Sequence, residues 1–442
     1  MSTVIIGGGI IGSSVAYFLT NDSSPYKDHE VHVIESSSQL FSAASGYAAG
    51  FLAKDWFSPA VAPLGALSFD LHHQLAAENG GKEKWGYMQS TALSLDVNDG
   101  RAKRTACRGD DWLREGTSRA EVAAKGEESS TTVMEEAPAW LTKQKGGRVE
   151  PISDEGTVAQ VDPLRLCKYL METTVSRGVK WHHPAQVISV VTDRDTNAIS
   201  AVKVLNSVSQ TESVIPCTNL VICAGPWTSR VFNSLFPSAK LRLNVSALAG
   251  YSLVLRSPRH TLVHEHDTYR GRSHAVFTTH PRDCGFSPEV FSREGAEIYI
   301  AGLNSSDIPL PSQAEESREI MDKQKIQELK AVAVRLMGRL AEGNLEASDD
   351  IPNVDDLEVL REGLCFRPVT ISGRPVISRI SEDLLGIGVK SKSPRTGREK
   401  GGVFVATGHG PWGISLSLGT GKVVAEMVDG VKTSADVSGL SV

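Results

Sequence analysis

Thr3 to Ile6 form a short β-branched run that leads directly into Gly7-Gly8-Gly9-Ile10-Ile11-Gly12, and a helical pattern runs from about Ile10 to Leu19. Gly7, Gly9 and Gly12 therefore stand in the order G-x-G-x-x-G between a strand and a helix, and Val31 to Ile34 reads as the next buried strand. A chain that opens this way begins a parallel β-α-β unit. Each glycine has its own physical reason: Gly7 for the tight turn, Gly9 for close backbone approach to a pyrophosphate, Gly12 for close packing of helix on strand. The helix N-terminus, with Ile10 and Ile11 in its first turn, then stabilises phosphate charge. Glu35 lies 35 − 12 = 23 residues beyond Gly12, followed by Ser36, and can accept hydrogen bonds from a ribose. An acid there disfavours a 2′-phosphate. The loop predicts a dinucleotide and leaves NAD and FAD both open.

A second glycine signature lies near the other end of the chain. Val403 to Ala406 reads as a strand, Gly408-His409-Gly410-Pro411-Trp412-Gly413 as a turn, and Ile414 to Val428 as a helix. A strand, a G-H-G turn and a helix start form another anion-stabilising site. A flavin needs one, because reduction places negative charge on its N1–C2=O edge. A plain NAD dehydrogenase would leave this segment unexplained, so FAD held by both ends of the chain is the expectation.

Composition narrows the remaining classes. The chain has 442 residues, 40% hydrophobic and 22% charged, which excludes disorder over most of its length. Its 46 basic and 52 acidic residues give a net charge of −6, so nucleic acid is not an expected partner. The six cysteines (Cys107, Cys167, Cys217, Cys223, Cys284 and Cys365) form no C-x-x-C pair, which argues against a disulfide scaffold or zinc cage and fits a cytoplasmic setting. The uncharged runs Met1 to Asn21 and Val403 to Gly421 are broken by glycines, and the second also by Pro411, so neither reads as a transmembrane span. His264-Glu265-His266 lacks further ligands at useful spacing, and no metal is expected.

Between the two glycine signatures, Phe41 to Phe51 is rich in Ala, Ser and Gly, and about Asp96 to Asp154 is polar and charged, reading as surface helices and loops. Val161 to Gly178 has helical spacing behind an Asp162-Pro163 start. Gln186 to Val191 and Ala198 to Leu205 read as a hairpin, and Leu220 to Ala224 as a buried strand ending in Gly225-Pro226. Tyr251 to Leu255 and Glu297 to Ala301 read as strands, Glu315 to Leu345 as a long amphipathic helix or helix pair, and Lys390 to Gly402 as a solvated basic loop.

With these segments in place, the chain resembles the D-amino-acid oxidase, glycine oxidase and sarcosine oxidase superfamily of FAD-dependent oxidoreductases. The resemblance is carried by VIIGGGIIGSSVAYFL, SAASGYAAGFLAK, VDPLRLCKYLMETTVSRGV, LVICAGPW, CFRPVTISGRPVI and ATGHGPWGISLSLGTGKVVAEMV, in the family's order. SPEVFSREGAEIYIAGLNSSDIPLP and LCFRPVT look most like a fungal branch of that superfamily. The resemblance implies an α/β fold: a Rossmann-like FAD-binding domain from residues 1–55, 156–240 and 350–442, and a substrate domain with a mixed or antiparallel sheet from 56–155 and 241–349. It implies oxidation of the C–N bond of an amine or amino acid by hydride transfer to flavin N5, with O2 reoxidising the flavin to give H2O2. Two other outcomes fit the same resemblance, a flavin dehydrogenase with a non-oxygen acceptor and a catalytically silent FAD-binding or trafficking protein.

The resemblance also assigns residues. Ser42, Ala44, Ser45, Gly46, Ala49 and Gly50 lie where the family wraps backbone around pyrophosphate and isoalloxazine, and Val187, Ala224, Gly225 and Trp227 join the cofactor set. Arg367 matches an arginine that pairs with a substrate α-carboxylate. Lys54 stands at a position where sarcosine oxidases carry an arginine that meets the substrate carboxylate, and a cation there could do the same. Cys365 matches a cysteine that attaches covalently to flavin in some members; non-covalent FAD with a buried free thiol is the expectation. His409 and Trp412 flank the G-H-G turn, His409 with a possible influence on flavin or oxygen. Ser415 stands where sarcosine oxidases have a lysine, a departure from simple sarcosine-type recognition.

Overall fold

The computed structural model describes residues 2–21, 29–96, 137–278, 286–348, 350–386 and 401–442. The opening β-α-β unit forms as the glycine spacing requires. Strand Ser2–Ile6 pairs in parallel with Glu30–Ile34 on one side and Asn219–Ile222 on the other. Lys180–His182 extends the sheet beyond Glu30–Ile34, and Gly402–Thr407 lies beyond Asn219–Ile222, both in parallel. An antiparallel edge strand, Val376–Ile380, completes six strands. The inner strands are buried along their whole length, because helices Ile10–Leu19 and Ser417–Asp429 cover one face and the segment from Ala185 to Phe236 covers the other. The two ends of the chain meet here. Helix Ile10–Leu19 packs on the terminal helix Ser417–Asp429, so closely that a Cβ at Gly421 would fall 2.5 Å from Ser14.

Helix Pro163–Ser176 starts where Asp162 and Pro163 place it, and the Asp162 carboxylate accepts the Arg165 N–H at 3.0 Å. The expected hairpin is present as Ala185–Thr192 and Ile199–Asn206, and Glu212–Pro216 makes it a three-stranded antiparallel sheet.

The third sheet is mixed and runs Glu358–Thr370, Val245–Arg256, Glu297–Ser305, Glu289–Arg293, Ser273–Thr278, Met88–Asp96, Val158–Gln160, Phe51–Ala53, with Arg148–Pro151 attached to Met88–Asp96. Segment 350–442 thus contributes strands to both large sheets. Alternation divides the third sheet's two faces. Leu253, Ile298 and Ile300 pack with Ile326, Leu329 and Leu336 of helix Lys323–Met337. Tyr299, Phe291 and Phe277 face the other way, toward the first sheet's layer.

Three expectations change. The long helix or pair over Glu315 to Leu345 is a single turn at Ala314–Arg318 and one helix, Lys323–Met337. Asp322 restarts the chain as an N-cap, accepting the Gln324 N–H at 2.8 Å, and Gly338 leaves helical geometry. The terminal helix begins at Ser417 rather than Ile414, behind a short 3₁₀ turn that contains Pro411. In the polar stretch Asp96 to Asp154, the part beyond residue 136 is not simply surface, because Trp140 is fully buried in the core between the third sheet and helix Lys323–Met337. Residues 97–136 of that stretch, residues 387–400 containing most of the basic loop, Cys107 and Cys284 lie outside the described residues. Among the described residues no helix is long and apolar enough to cross a membrane, and no group of three or more metal-ligating side chains is assembled.

Candidate functional site

A cavity of about 510 Å³ lies between the first sheet and the third. One wall is built from the carboxyl ends of the parallel strands, where a doubly wound sheet places its ligands. It includes Gly7, Gly9, Ile10, Ile11, Glu35, Ser36, Ala224, Gly225, Trp227 and, from the far end of the chain, His409, Gly410, Pro411 and Gly413. Ala44, Ser45, Ala49 and Val187 also line it, and the third sheet contributes Glu289, Tyr299, Ala301, Cys365 and Arg367. The candidate residues Gly12, Ser42, Gly46, Gly50, Gly408, Trp412 and Lys54 do not line the cavity.

Most of those seven shape the walls instead. A Cβ at Gly12 would sit 2.0 Å from the Gly7 carbonyl oxygen, so only glycine lets the helix lie this close to the turn. Gly7 itself has φ +104°, open to glycine and costly for other residues. Gly46 and Gly50 pass within contact of the Phe41 and Val161 carbonyls. Ser42 Oγ hydrogen bonds with Ser37 Oγ at 2.8 Å. Trp412 packs against Phe57 and Trp56. Lys54 is a surface residue here: its ammonium meets Asp70 at 2.9 Å, with both side chains substantially exposed. Ser415 Oγ accepts the Ala53 N–H at 3.0 Å and so ties the terminal segment to strand Phe51–Ala53.

Glu35 holds the glycine turn. Its Oε2 accepts the Gly8 N–H at 2.8 Å and its Oε1 the Ser37 N–H at 2.9 Å. Each carboxylate oxygen retains acceptor capacity for a further hydroxyl. Burial raises its pKa, opposed by these backbone hydrogen bonds. Ser45 Oγ accepts the Ile10 N–H at 2.9 Å, which joins the Ala/Ser/Gly loop to the first helical turn.

That loop is clamped from the third sheet. Arg293 donates to the carbonyls of Ala48 (2.6 Å) and Ala49 (3.1 and 2.6 Å), Gln160 to Ala49 (2.7 Å), Arg361 to Gly46 (3.1 Å) and Tyr299 to Tyr47 (3.0 Å). The sequence reading did not single out these four residues. The signal available was only a charged residue, Arg293, closing a short strand around Val290-Phe291.

Arg367 projects from strand Glu358–Thr370, and its Nη1 donates to Asn304 Oδ1 at 2.6 Å. Gly250, on the neighbouring strand, provides the space: a Cβ there would fall 2.2 Å from Nη1. Gly250 and Asn304 were also missed, because their relation to Arg367 exists only across strand pairings. Cys365 is buried, and burial raises its thiol pKa, so it stays protonated. His409 is buried and hydrogen bonds with Thr420 Oγ1 at 3.1 Å; burial lowers its pKa to about 3, so the ring is neutral. The segment after strand Glu297–Ser305 closes the cavity. Ser312, Gln313 and Ala314 line it, Trp227 Nε1 donates to the Pro311 carbonyl at 2.8 Å, and Glu315 accepts from Ser37 Oγ, Ser38 N and Ser38 Oγ at 2.5–3.0 Å.

A glycine turn against a helix start, a partly free carboxylate one strand away and a second turn from the opposite chain end define a flavin dinucleotide site. The profile of the FAD dependent oxidoreductase (DAO) family matches residues 2–427, and the chain belongs to that family. It is similar to two fungal proteins, each named a "Putative oxidoreductase". C1F5.03c of Schizosaccharomyces pombe is 26% identical over 447 residues, covering 98% of this chain and 96% of the relative. TDA3 of Saccharomyces cerevisiae is 23% identical over 546 residues, covering 99% and 93%. Among solved structures, glycine oxidase from Geobacillus kaustophilus shares the fold with a TM-score of 0.64 at 20% identity, covering 99% of this chain and 97% of that one. The protein is therefore an FAD-dependent oxidoreductase, and the residues lining the cavity fit that cofactor.

Proposed function

We propose that the protein oxidises the C–N bond of an amino acid or similar carboxylate-bearing amine, with O2 as the final electron acceptor and H2O2 as product. The observation that carries this reading is Arg367. Its guanidinium stands in the wall of the flavin cavity, and only Nη1 is engaged by a described residue. The remaining donors have the planar fork geometry that pairs with a carboxylate. The similarity to glycine oxidase supports the same substrate class.

FAD, when bound, supplies the two-electron acceptor; the side chains bind, orient and exclude water. In this reading Gly7, Gly9 and the Ile11 N–H would lie against the pyrophosphate, and Glu35 would take the ribose hydroxyls. Ala185, Gln186 and Val187 enclose the adenine end. Arg367, held by Asn304, fixes the substrate carboxylate and thereby the distance of its α-carbon from the flavin. Tyr299, Ala301 and Ile414 supply apolar wall. His409, neutral and bonded to Thr420, shapes the turn rather than carrying charge. Lys54, paired with Asp70 outside the cavity, leaves the carboxylate to Arg367.

The test is anaerobic mixing of the holoenzyme with glycine, N-methylglycine and panels of D- and L-amino acids, following loss of the visible flavin band, then admission of air. The expected result is reduction by a carboxylate-bearing amine and one H2O2 per reoxidised flavin. Reduction only by amines without a carboxylate, or by 2-hydroxy acids, would overturn the substrate reading. Slow reoxidation without peroxide would replace the oxidase by a dehydrogenase. A flavin that no donor reduces would mean a silent FAD-binding protein.

A further inference from the structure

The segment that follows strand Glu297–Ser305 leaves the third sheet, and its roots differ from its middle. Ile308 and Leu310 pack into the core beside helix Lys323–Met337, and Met321 packs there at the other root. Between them residues 311–318 read Pro-Ser-Gln-Ala-Glu-Glu-Ser-Arg, with Pro311 and Ala314 as the only apolar side chains. Polar contacts hold this stretch across the cavity. The Pro311 carbonyl accepts the Trp227 Nε1–H at 2.8 Å. Glu315 Oε1 accepts the Ser38 N–H at 3.0 Å and the Ser38 hydroxyl at 2.8 Å, and its Oε2 accepts the Ser37 hydroxyl at 2.5 Å. Arg318 donates from Nε and Nη2 to Tyr47 Oη at 3.1 and 2.9 Å. Glu316 Oε2 accepts the N–H groups of Ser312 (3.0 Å) and Gln313 (3.3 Å), which fixes the shape of the stretch itself.

The anchor points show what the stretch crosses. Trp227 follows strand Asn219–Ile222, Ser37 and Ser38 follow strand Glu30–Ile34, and strand Ser2–Ile6 with its glycine turn lies between those two. The outer strands are two strand spacings apart, about 10 Å. The four residues from Pro311 to Glu315 can reach about 13 Å when extended. The stretch therefore arches over the carboxyl end of the first strand. Ser312, Gln313 and Ala314 at its middle line the cavity together with Gly7, Gly9, Glu35 and Ser36. Ser37 joins the two features, because its N–H donates to Glu35 Oε1 and its hydroxyl to Glu315. An arch held mainly by hydrogen bonds, with few apolar contacts of its own, opens at a lower free energy than the core around it.

We propose that residues 311–318 form a strap over the cofactor crevice, with Glu315 as its latch, and that FAD leaves the protein only when this latch opens. A cofactor filling the crevice in turn gives Ser312, Gln313 and Ala314 a surface to rest on, so loading and closure support each other. The inference rests on the FAD site alone and not on the identity of the substrate.

Two measurements test it without a substrate. Holoenzyme carrying isotopically labelled FAD, chased with excess unlabelled FAD, gives the release rate for wild type, E315A and E426A. Glu426 is a control carboxylate that also holds two donors, the Ser434 N–H and hydroxyl, away from the cavity. Glu315 itself does not line the cavity, so faster release in E315A reports the latch and not a lost contact with FAD. Amide hydrogen exchange of residues 311–318 is compared with and without FAD, with helix Lys323–Met337 as internal reference. The expected result is release at least about tenfold faster in E315A, the scale of losing hydrogen bonds to a charged group. E426A should stay within about threefold of wild type, and the strap amides should slow on FAD binding by at least about tenfold more than those of the helix. Release from E315A within threefold of wild type, or E426A as fast as E315A, overturns the proposal. Should E315A not retain FAD, exchange in wild type decides: selective slowing of the strap by FAD supports the proposal, and slowing no greater than that of the helix overturns it.

Discussion

Gly250→Ala should damage substrate recognition while sparing the cofactor. The added methyl would stand 2.2 Å from Arg367 Nη1 and 2.9 Å from both Arg367 Cζ and Asn304 Oδ1. Real Cβ contacts do not fall below 3.0 Å, so something must give by close to an ångström. The backbone at residue 250 cannot, because it is paired to Cys365 on one side and Asn304 on the other. The guanidinium is the flexible partner, and moving it breaks its 2.6 Å hydrogen bond to Asn304. A hydrogen bond with one charged partner contributes about 1.5–3 kcal/mol. A carboxylate clamp displaced by ~1 Å loses productive geometry on the same scale, up to about 100-fold. Flavin reduction by the best amino-acid substrate should therefore show a Kd raised roughly 10- to 100-fold in G250A, with FAD content unchanged. Binding within threefold of wild type in G250A would refute the reasoning, as would loss of FAD in step with loss of binding.

Gly12→Ala should act on the cofactor instead. Its Cβ would lie 2.0 Å from a backbone oxygen, which cannot swing away, so helix Ile10–Leu19 must lift off the turn at a cost of about 1–3 kcal/mol. Reduced FAD content and a Tm lower by a few degrees are expected, and retention of both would refute the packing argument. Cys365→Ser should leave FAD extractable by acid, as in wild type; yellow colour retained in the wild-type acid pellet and absent from the variant's would show covalent attachment instead. Burial holds His409 near pKa 3 and His72 and His274 near 4, against 6.5 unfolded. The unfolded chain binds protons at these sites first as pH falls, so their stabilisation is complete above pH 6.5 and lost between 6.5 and about 3–4. Tm measured against pH should drop through that window, and H409Q should show a shallower drop by up to about 1.4 kcal/mol per pH unit.

The opening strand, glycine turn and helix were legible because one tight constraint there is local: a Cβ at Gly12 would meet the Gly7 carbonyl within the same turn, whereas Gly7 and Gly9 face the distant Cys223 and Ser45. Glu35 was legible for a related reason, since a fixed count of residues brings the second strand back beside the first. The terminal turn at Gly408 to Gly413 could be read as a second anion site, but its union with the first turn depends on Gly421 admitting Ser14 across more than 400 positions. The distinction between lining a cavity and building its wall was not legible. Gly12 shares the glycine pattern with Gly7 and Gly9, and only packing separates it from them. Lys54 has the right charge in the right segment, and the path of the chain after strand Phe51–Ala53 turns it to Asp70.

The clamp residues Arg293, Gln160, Arg361 and Tyr299 come from distant strands and carry no motif. What makes them functional is the carbonyl each one meets, a partner chosen by sheet register. Sequence alone determined the nucleotide turn and the acid beside it, because those depend on residue type at short range, whereas Arg367 was named only through a family resemblance. Tertiary structure decided which charges are buried, which are paired at the surface and which face the cavity. Desolvation and partner geometry set the energy of a charged group, and neither exists until the two sheets close on each other.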